Sequence, residues 1–298
     1  MVIRSLTLGL TAALLAACAV GPDFTRPTVA TPERFVQAAT AEGVAHTATP
    51  AADDAFWLGF NDPQLTSLVE AALSANHDLR IALANYDRAN ALLRGSKFDY
   101  FPTLTASGQA SNNRASADQQ PGVSRNDRDS DSYSAQIDAT WELDLFGRIR
   151  RNVEANRADA AATAADLQAA QVAIVGEVSR TYLELRGLQE RLRVARENAD
   201  NQRETLQLVE ARYNAGRDSE FDTARARAQL ESTSARIPAL EALIATDMHR
   251  LAVLSGRTPD ALIAELTPPK PLPALPAGID PGAPGDLLRR RPDVAAAE

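Results

Sequence analysis

Two periodicities meet head to tail in the middle of this chain. In SYSAQIDATWELD, residues 132–144, Tyr133, Ala135, Ile137, Ala139, Trp141 and Leu143 alternate with Ser134, Gln136, Asp138, Thr140, Glu142 and Asp144. This is the two-residue period of a strand with one apolar and one polar face. Directly after it, Val153, Ala160, Leu167, Ile174, Thr181, Leu188, Ala195, Gln202 and Val209 recur every seventh residue. Ala164, Val178, Leu185, Leu192, Ala199, Leu206 and Tyr213 form a second seam beside them, the heptad signature of helix-on-helix packing. No Pro interrupts Gly147 to Asn214, so one helix is expected there, a rod of roughly 100 Å at the ordinary helical rise. Such a rod must pack along its length against other helices.

A weaker copy of the strand precedes it. In TLTASGQAS, residues 103–111, Leu104, Ala106, Gly108 and Ala110 alternate with Thr103, Thr105, Ser107, Gln109 and Ser111. The stretch between the two, SNNRASADQQPGVSRNDRDSD, is polar and charged. Together they predict a hairpin with a long outer loop over 102–145, the pattern of an outer-membrane barrel segment. A hairpin brings Phe98, Tyr100 and Phe101 to the same end as Trp141 and Phe146, where aromatic side chains would form a membrane-interface belt. A water-soluble hairpin with an ordinary aromatic cluster shows the same alternation. Gln136, Asp138, Thr140 and Glu142 would line a wet passage in the first case and be merely solvated in the second.

The remaining elements follow from local chemistry. Structure is expected from Phe56-Trp57, with N-terminal helices over 56–101. Asp62 is a good N-cap, with Pro63 at the first helical position, where its missing N–H costs nothing. Leu65, Leu68, Val69 and Ala72 form one stripe, and a second start at Asn76 leads into Leu79, Leu83, Tyr86 and Leu93. The helix must end before Pro102. After the long rod, Asn214 and Gly216 suit a left-handed turn, and Ser219-x-x-Asp222 reads as a capping box. A partner helix carries Ala226, Leu230, Thr233, Ile237, Leu240, Ile244, Met248, Leu251 and Leu254, with Pro238 bending or interrupting it. A tight turn between two such helices gives an antiparallel helical hairpin over 146–257. The stretch TPPKPLPALPAGIDPGAPG lies in an expected Pro-rich linker over 258–285.

At the N-terminus, Arg4 precedes an apolar stretch from Leu6 to Ala17, too short for a bilayer span and the length of a secretory signal over 1–17. The string Leu15-Ala16-Ala17-Cys18 resembles the bacterial lipobox, which implies that Cys18 becomes an acylated first residue. Ala19 after it resembles lipoproteins sorted onward to the outer membrane. A plain signal cleaved after Ala-x-Ala, with Cys18 a bystander, is the alternative. Residues 18–55, rich in Ala, Thr and Pro, read as an extended tether, lipidated if Cys18 is.

Composition removes several function classes. The 298 residues are 45% hydrophobic with a formal charge of −8 and a single Cys, enough for a large core but the wrong sign for a nucleic-acid partner. His46, His77 and His249 are far apart, and no Cys or His pair has metal-ligand spacing. There is no P-loop, GxGxxG or GxSxG. The adjacent Asp53 and Asp54 sit in the polar leader, where solvation is the ordinary state. No catalytic residue, metal or cofactor is expected.

Four motifs carry a family resemblance: FNDPQLTSLVEAAL, WELDLFGRIRR, RYNAGRDSEFDTARAR and DLLRRRPDVAAAE. In that order they resemble the outer membrane efflux proteins, the TolC-like channels, and within them the lipoproteins of the OprM/NodT type. The resemblance implies a homotrimeric tube in which a β-barrel through the outer membrane continues into an α-helical barrel through the periplasm. The expected fold class is therefore mainly α with a β-hairpin: long antiparallel helical hairpins plus two strands of a transmembrane barrel. The resemblance also implies an outer-membrane channel of a tripartite efflux system, lipid-anchored, partnered by a periplasmic adaptor and an inner-membrane transporter of the RND type. Arg212, Tyr213, Gly216, Ser219 and Asp222 would match the periplasmic tip that meets the adaptor; a purely structural role in turn and cap is the alternative. Export of proteins in type I secretion, and a nonfunctional periplasmic coiled-coil lipoprotein fragment, are further alternatives.

An internal similarity bears on length. LSANHDLRIAL at 73–83 and LRRRPDVAAAE at 288–298 align without gaps, Asp78 on Asp293 and Leu79 on Val294, the mark of a duplicated unit. Family protomers have two repeats, so a second copy would need about 200 further residues. The expectation is one repeat plus the first turn of the next, with residues 286–298 a truncated second start. The gate, in the family at the second repeat's tip, would be absent. Two strands alone leave both edges unpaired, so this chain by itself is not expected to form a stable pore.

Overall fold

A computed structural model of the chain describes residues 20–32, 55–275 and 284–298. The signal segment 1–17, Cys18, most of the tether with Asp53 and Asp54, and residues 276–283 of the Pro-rich stretch lie outside the described residues. The chain divides into two compact units, Met1–Arg26 with Asp87–Ala161, and Pro27–Tyr86 with Ala162–Glu298.

Helix α1, Pro63–Ala75, begins where the capping chemistry requires. Asp62 is extended, and its Oδ1 accepts the N–H groups of Gln64 at 2.8 Å and Leu65 at 3.1 Å, satisfying two donors that a helix start leaves unpaired. Leu65, Leu68, Val69 and Ala72 are all buried, as one stripe. The helix stops at Asn76, whose extended backbone breaks the ladder. Asn76 then caps α2, His77–Ser96, through Oδ1 to the N–H groups of Asp78 and Leu79. Its Nδ2 donates to the Leu254 carbonyl at 2.9 Å. The expected stripe on α2 is only partly realised. Leu79 is buried, but Leu83 is 47% exposed, because the core it would join ends with the first turn.

The first unit contains the hairpin. Strands β1, Thr103–Arg114, and β2, Asp129–Thr140, pair antiparallel with Thr103 opposite Thr140 and Arg114 opposite Asp129. Both strands reach into the stretch expected as loop. Asn112 donates to Asp131 at 2.7 Å, and Arg114 forms a forked ion pair with Asp129, so polar cross-strand pairs carry the ladder where apolar alternation has ended. At its other end β2 stops at Thr140, earlier than the alternation through Leu143 predicts. The cause is the start of α3, Arg148–Asn214. Asp144 accepts the N–H groups of Ile149 and Arg150, and Glu142 takes two hydrogen bonds from Arg148, at 2.7 and 2.6 Å. Gly147, at φ +84°, makes the turn between them.

Helix α3 is unbroken for 67 residues. Of the two heptad seams only Tyr213 is exposed, and the other positions are buried or half-buried. In the second unit the seam widens: Val175, Val178, Tyr182, Leu185 and Leu188 pack with α1 and with the returning helix. That return comes in two pieces, α4, Glu220–Ser234, and α5, Ile237–Leu254, with Pro238 in the first turn of α5. The predicted interruption is thus a clean break. Ion pairs Glu177–Arg250, Arg196–Glu241 and Glu210–Arg227 run in reverse order along the two arms, fixing them antiparallel.

Helix α5 ends in a tight turn at Gly256, whose φ is +69° and whose position leaves no room for a side chain: a Cβ there would lie 2.4 Å from the Ala75 carbonyl oxygen. The first part of the expected linker is instead core. Leu262 and Leu266, the second closing the short helix α6, Ile263–Leu266, are almost completely buried. Two short helices, α7, Pro284–Arg290, and α8, Pro292–Ala297, end the chain. They part at Arg291, an extended residue in the place that Asn76 holds in the aligned segment. The sequence repeat is therefore also a repeat of the helix break.

The core of the second unit encloses a polar cluster. Arg186 is fully buried. Its guanidinium donates to Gln64 Oε1 at 2.5 Å, Gln189 Oε1 at 2.7 Å and the Pro268 carbonyl at 3.1 Å, and lies 5.1 Å from the centre of the Tyr182 ring. Gln189 in turn donates to the Leu266 carbonyl at 2.8 Å, and Lys270 donates to Gln64 at 2.9 Å. Tyr182 donates its hydroxyl to Asp62 Oδ2 at 2.6 Å. Burial would raise the Asp62 carboxyl, but this bond and the N–H groups of Leu65 and Gln64 outweigh it and hold the acid below its ordinary range. Burial, and then the bond to Asp62, push the Tyr182 hydroxyl up to about 12.

Removing one member of such a cluster strands the others without water. Arg186→Ala is expected to lower unfolding free energy by about 3 kcal/mol in chemical denaturation followed by circular dichroism. A loss below about 1 kcal/mol, the worth of an ordinary exposed pair, would show that the cluster carries no structural weight.

Candidate functional sites: the hairpin faces and the helical tip

The register assigns the hairpin two chemically distinct faces. Leu104 stands opposite Ala139, Ala106 opposite Ile137 and Ala110 opposite Tyr133 on one side. On the other, Thr103 meets Thr140, Thr105 meets Asp138 and Ser107 meets Gln136. Gln136 donates to both oxygens of Asp138 at 2.7 Å, tying neighbours along that polar face. Both faces are exposed in this chain. Glu142 differs from the other three residues expected to face a passage: it lies beyond the strand, held by Arg148.

The aromatic residues gather at the turnless end of the hairpin. Phe98 and Tyr100 lie in a single 3-10 turn, Lys97–Tyr100, and Phe101 is extended just before the strand. The pairing of Thr103 with Thr140 brings this group opposite Trp141, whose indole N–H donates to the Tyr100 carbonyl at 3.3 Å. Phe146 follows shortly after, and its carbonyl accepts the N–H of Val20 at 3.1 Å. Arg151 donates to the Gly21 carbonyl and to Asp23, each at 2.9 Å. The segment just after Cys18 is thus tied to the start of α3. All five aromatic side chains are exposed.

The tip of the helical hairpin is built by backbone bonds. Gly216 has φ +72°. Its N–H donates to the Tyr213 carbonyl and that of Arg217 to the Arg212 carbonyl, both at 2.9 Å, the paired bonds that close a helix around a left-handed residue. Asn214, expected to share the left-handed turn, is the last residue of α3 instead; glycine supplies the whole reversal because it alone has no Cβ to clash. Arg212 pairs with Asp218 at 3.1 Å. Ser219 and Asp222 form the reciprocal capping box. The Ser219 hydroxyl, then its N–H, hold the Asp222 carboxyl below its ordinary range.

Some residues of these sites were not marked by the sequence patterns. Phe221 is 72% exposed beside the tip, and nothing in its spacing distinguishes it from a core aromatic. Asp218 has no periodic signal, although it is the obvious partner for a nearby Arg. The buried Arg186 and Gln189 sit next to the seam residues Leu185 and Leu188, where long polar side chains ordinarily reach solvent. Among the described residues no group of three or more His, Cys, Asp or Glu could hold a metal ion.

The fold has counterparts. The family model described as "Outer membrane efflux protein" matches residues 68–257. Nodulation protein T of Rhizobium leguminosarum bv. trifolii is 31% identical over 96% of this chain and 59% of its own length. The probable efflux pump outer membrane protein TtgC of Pseudomonas putida KT2440 is 32% identical over 98% of this chain and 60% of its own. Among solved structures, the outer-membrane channel OprN superposes with a TM-score of 0.80 at 40% identity, covering 94% of this chain and 61% of that one. The chain thus spans about 60% of the length of the relatives it matches. A continuous helix fused to an antiparallel strand pair, matched in sequence and in structure along nearly the whole chain, establishes that it belongs to the outer membrane efflux protein family.

Proposed function

We propose that this chain forms part of the outer-membrane channel of a tripartite efflux system, passing drugs or other small toxic solutes from the periplasmic side to the outside. The observation that carries the reading is the hairpin: an apolar and a polar face in strict register, ending in exposed aromatics and joined directly to a 67-residue helix. The apolar face would meet lipid, while Gln136, Asp138 and Thr140 line the aqueous side. Phe98, Tyr100, Phe101, Trp141 and Phe146 would mark the membrane boundary. Two exposed strand edges need further strands to close a barrel, so the working channel is a homotrimer in which the remaining length of the family fold contributes. Similarity to relatives that include a toluene efflux pump outer membrane protein of Pseudomonas putida supports solute efflux.

The partners follow from the same reading. The tip around Arg212, Tyr213, Gly216, Ser219 and Asp222 receives the periplasmic adaptor, which links the channel to an inner-membrane transporter of the RND type. Phe221 joins this surface by its exposure. Acylation of Cys18 anchors the chain in the outer membrane, since more than one acyl chain is needed for stable attachment and a lipoprotein cysteine carries them.

Three measurements test these assignments. A chimera joining this chain to the remaining C-terminal segment of the Pseudomonas putida relative is expected to restore solute tolerance to a host lacking its own efflux channel. Continued sensitivity with the chimera present in the outer membrane would overturn the channel reading. A photo-crosslinking residue at Phe221 in that chimera is expected to capture the adaptor, whereas one at the exposed Val172, away from the tip, is not; equal yields would remove the tip from the interface. Cells fed labelled palmitate are expected to label the chain and to leave Cys18→Ser unlabelled, and label persisting in that variant would exclude this anchor.

A further inference from the structure

Between α3 and α5 lies a group of five charges that the channel reading does not use. Glu177, Arg180 and Glu184 project from α3, and Asp247 and Arg250 from α5. Arg180 is committed to Glu177 at 2.8 Å and to Glu184 at 2.9 Å. Arg250 is committed to Glu177 at 2.6 Å. Three carboxylates therefore share two guanidinium groups, and Asp247 is left over. Its Oδ2 is buried and has no hydrogen-bond partner among the described residues. The neighbouring seam is closed by Val178, Thr181 and Met248, all buried.

We propose that this cluster is a proton-operated clasp on the helical hairpin: with Asp247 protonated the arms α3 and α5 close against each other, and with Asp247 ionised the seam loosens.

The charge balance gives the direction. An ionised Asp247 is a third negative charge in a half-buried seam with both cations already engaged. Protonation removes that charge and supplies an O–H donor to a place rich in carboxylate acceptors. Burial first, and then the charge of Glu184, push the Asp247 carboxyl up to about 6, with Arg180 and Arg250 only partly opposing. Glu177 behaves oppositely, held below its ordinary range first by the bond from Arg180, so Asp247 is the member that titrates. Its folded value lies above the ordinary 3.8, so the folded state binds more protons than the unfolded state between those two values. Stability of the seam therefore falls as pH rises through that window and returns as pH falls, the reverse of the usual acid trend. The clasp lies on the arms that carry the tip at Ser219, so its state sets how tightly the hairpin is held below the tip. This does not depend on which solute or partner the channel serves.

Hydrogen–deuterium exchange of the full chain in detergent, corrected for intrinsic exchange chemistry, tests the clasp in peptides covering residues 175–188 and 240–252. Protection in both peptides is expected to be about tenfold higher near pH 5 than near pH 7.5, the effect of roughly one unit of differential proton affinity after allowance for partial exposure. Asp247→Asn is expected to hold the higher protection at both pH values. An unchanged pH ratio in that variant would overturn the proposal. If Asp247→Asn does not fold, Glu184→Gln decides: by removing the facing charge it is expected to move the midpoint of the protection change to lower pH, and an unmoved midpoint is equally fatal.

Discussion

A guanidinium with no water around it organises the helical half of this chain. The Arg186 guanidinium offers only donors, and the elements near it supply acceptors or an aromatic ring. Gln64 comes from α1, Gln189 and Tyr182 from α3, and the Pro268 carbonyl from the segment after α6. Helices joined by apolar contact alone can slide by a turn and still bury similar area. A planar fork with fixed donors permits one register. The cluster thus converts a generic heptad surface into a specific arrangement, and it does so where two other elements converge on the longest helix.

The same logic explains why α3 is uneven along its length. Where it packs against several elements, both seams are buried and polar residues beside them are drawn inside; toward the tip the seams are half-buried and dominated by surface ion pairs such as Arg193 with Glu190 and Glu197. Exposed pairs of this kind add only tenths of a kcal/mol each. The arms near the tip are therefore held by thin contact and by the closing turn at Gly216. Such a division, firm at the root and light at the end, suits a structure whose end meets another molecule.

Much of this was legible in the sequence because the signals were local. The Asp62 cap, the Ser219–Asp222 box, the helix end before Pro102 and the break at Pro238 each depend on residues within one turn of each other. The heptads around Val178 likewise state which face is covered, and the alternation around Ile137 states which residues share a face. What escaped was decided by partners distant in sequence. Arg186 is buried because Pro268 and Gln64 arrive from far along the chain. Leu262 and Leu266 fold into the core although a Pro-rich stretch follows them. Trp141 to Leu143 alternate like a strand, yet Glu142 and Asp144 serve the helix start instead. Among the site residues, the tip was marked by its glycine and capping box, whereas Phe221 carried no periodic label and was revealed only by its exposure.

The joint at Asn76 meets the end of α5 without spare volume, since a Cβ at Gly256 would reach the Ala75 carbonyl. In the genetic code, glycine is specified by the first two bases of its codon, and the third is free. Every single-base change at either of those two positions brings in a side chain or a stop. The crowding at one helix junction is therefore written into the gene as two invariant nucleotides followed by a silent one, a constraint on DNA imposed by the distance between two backbones.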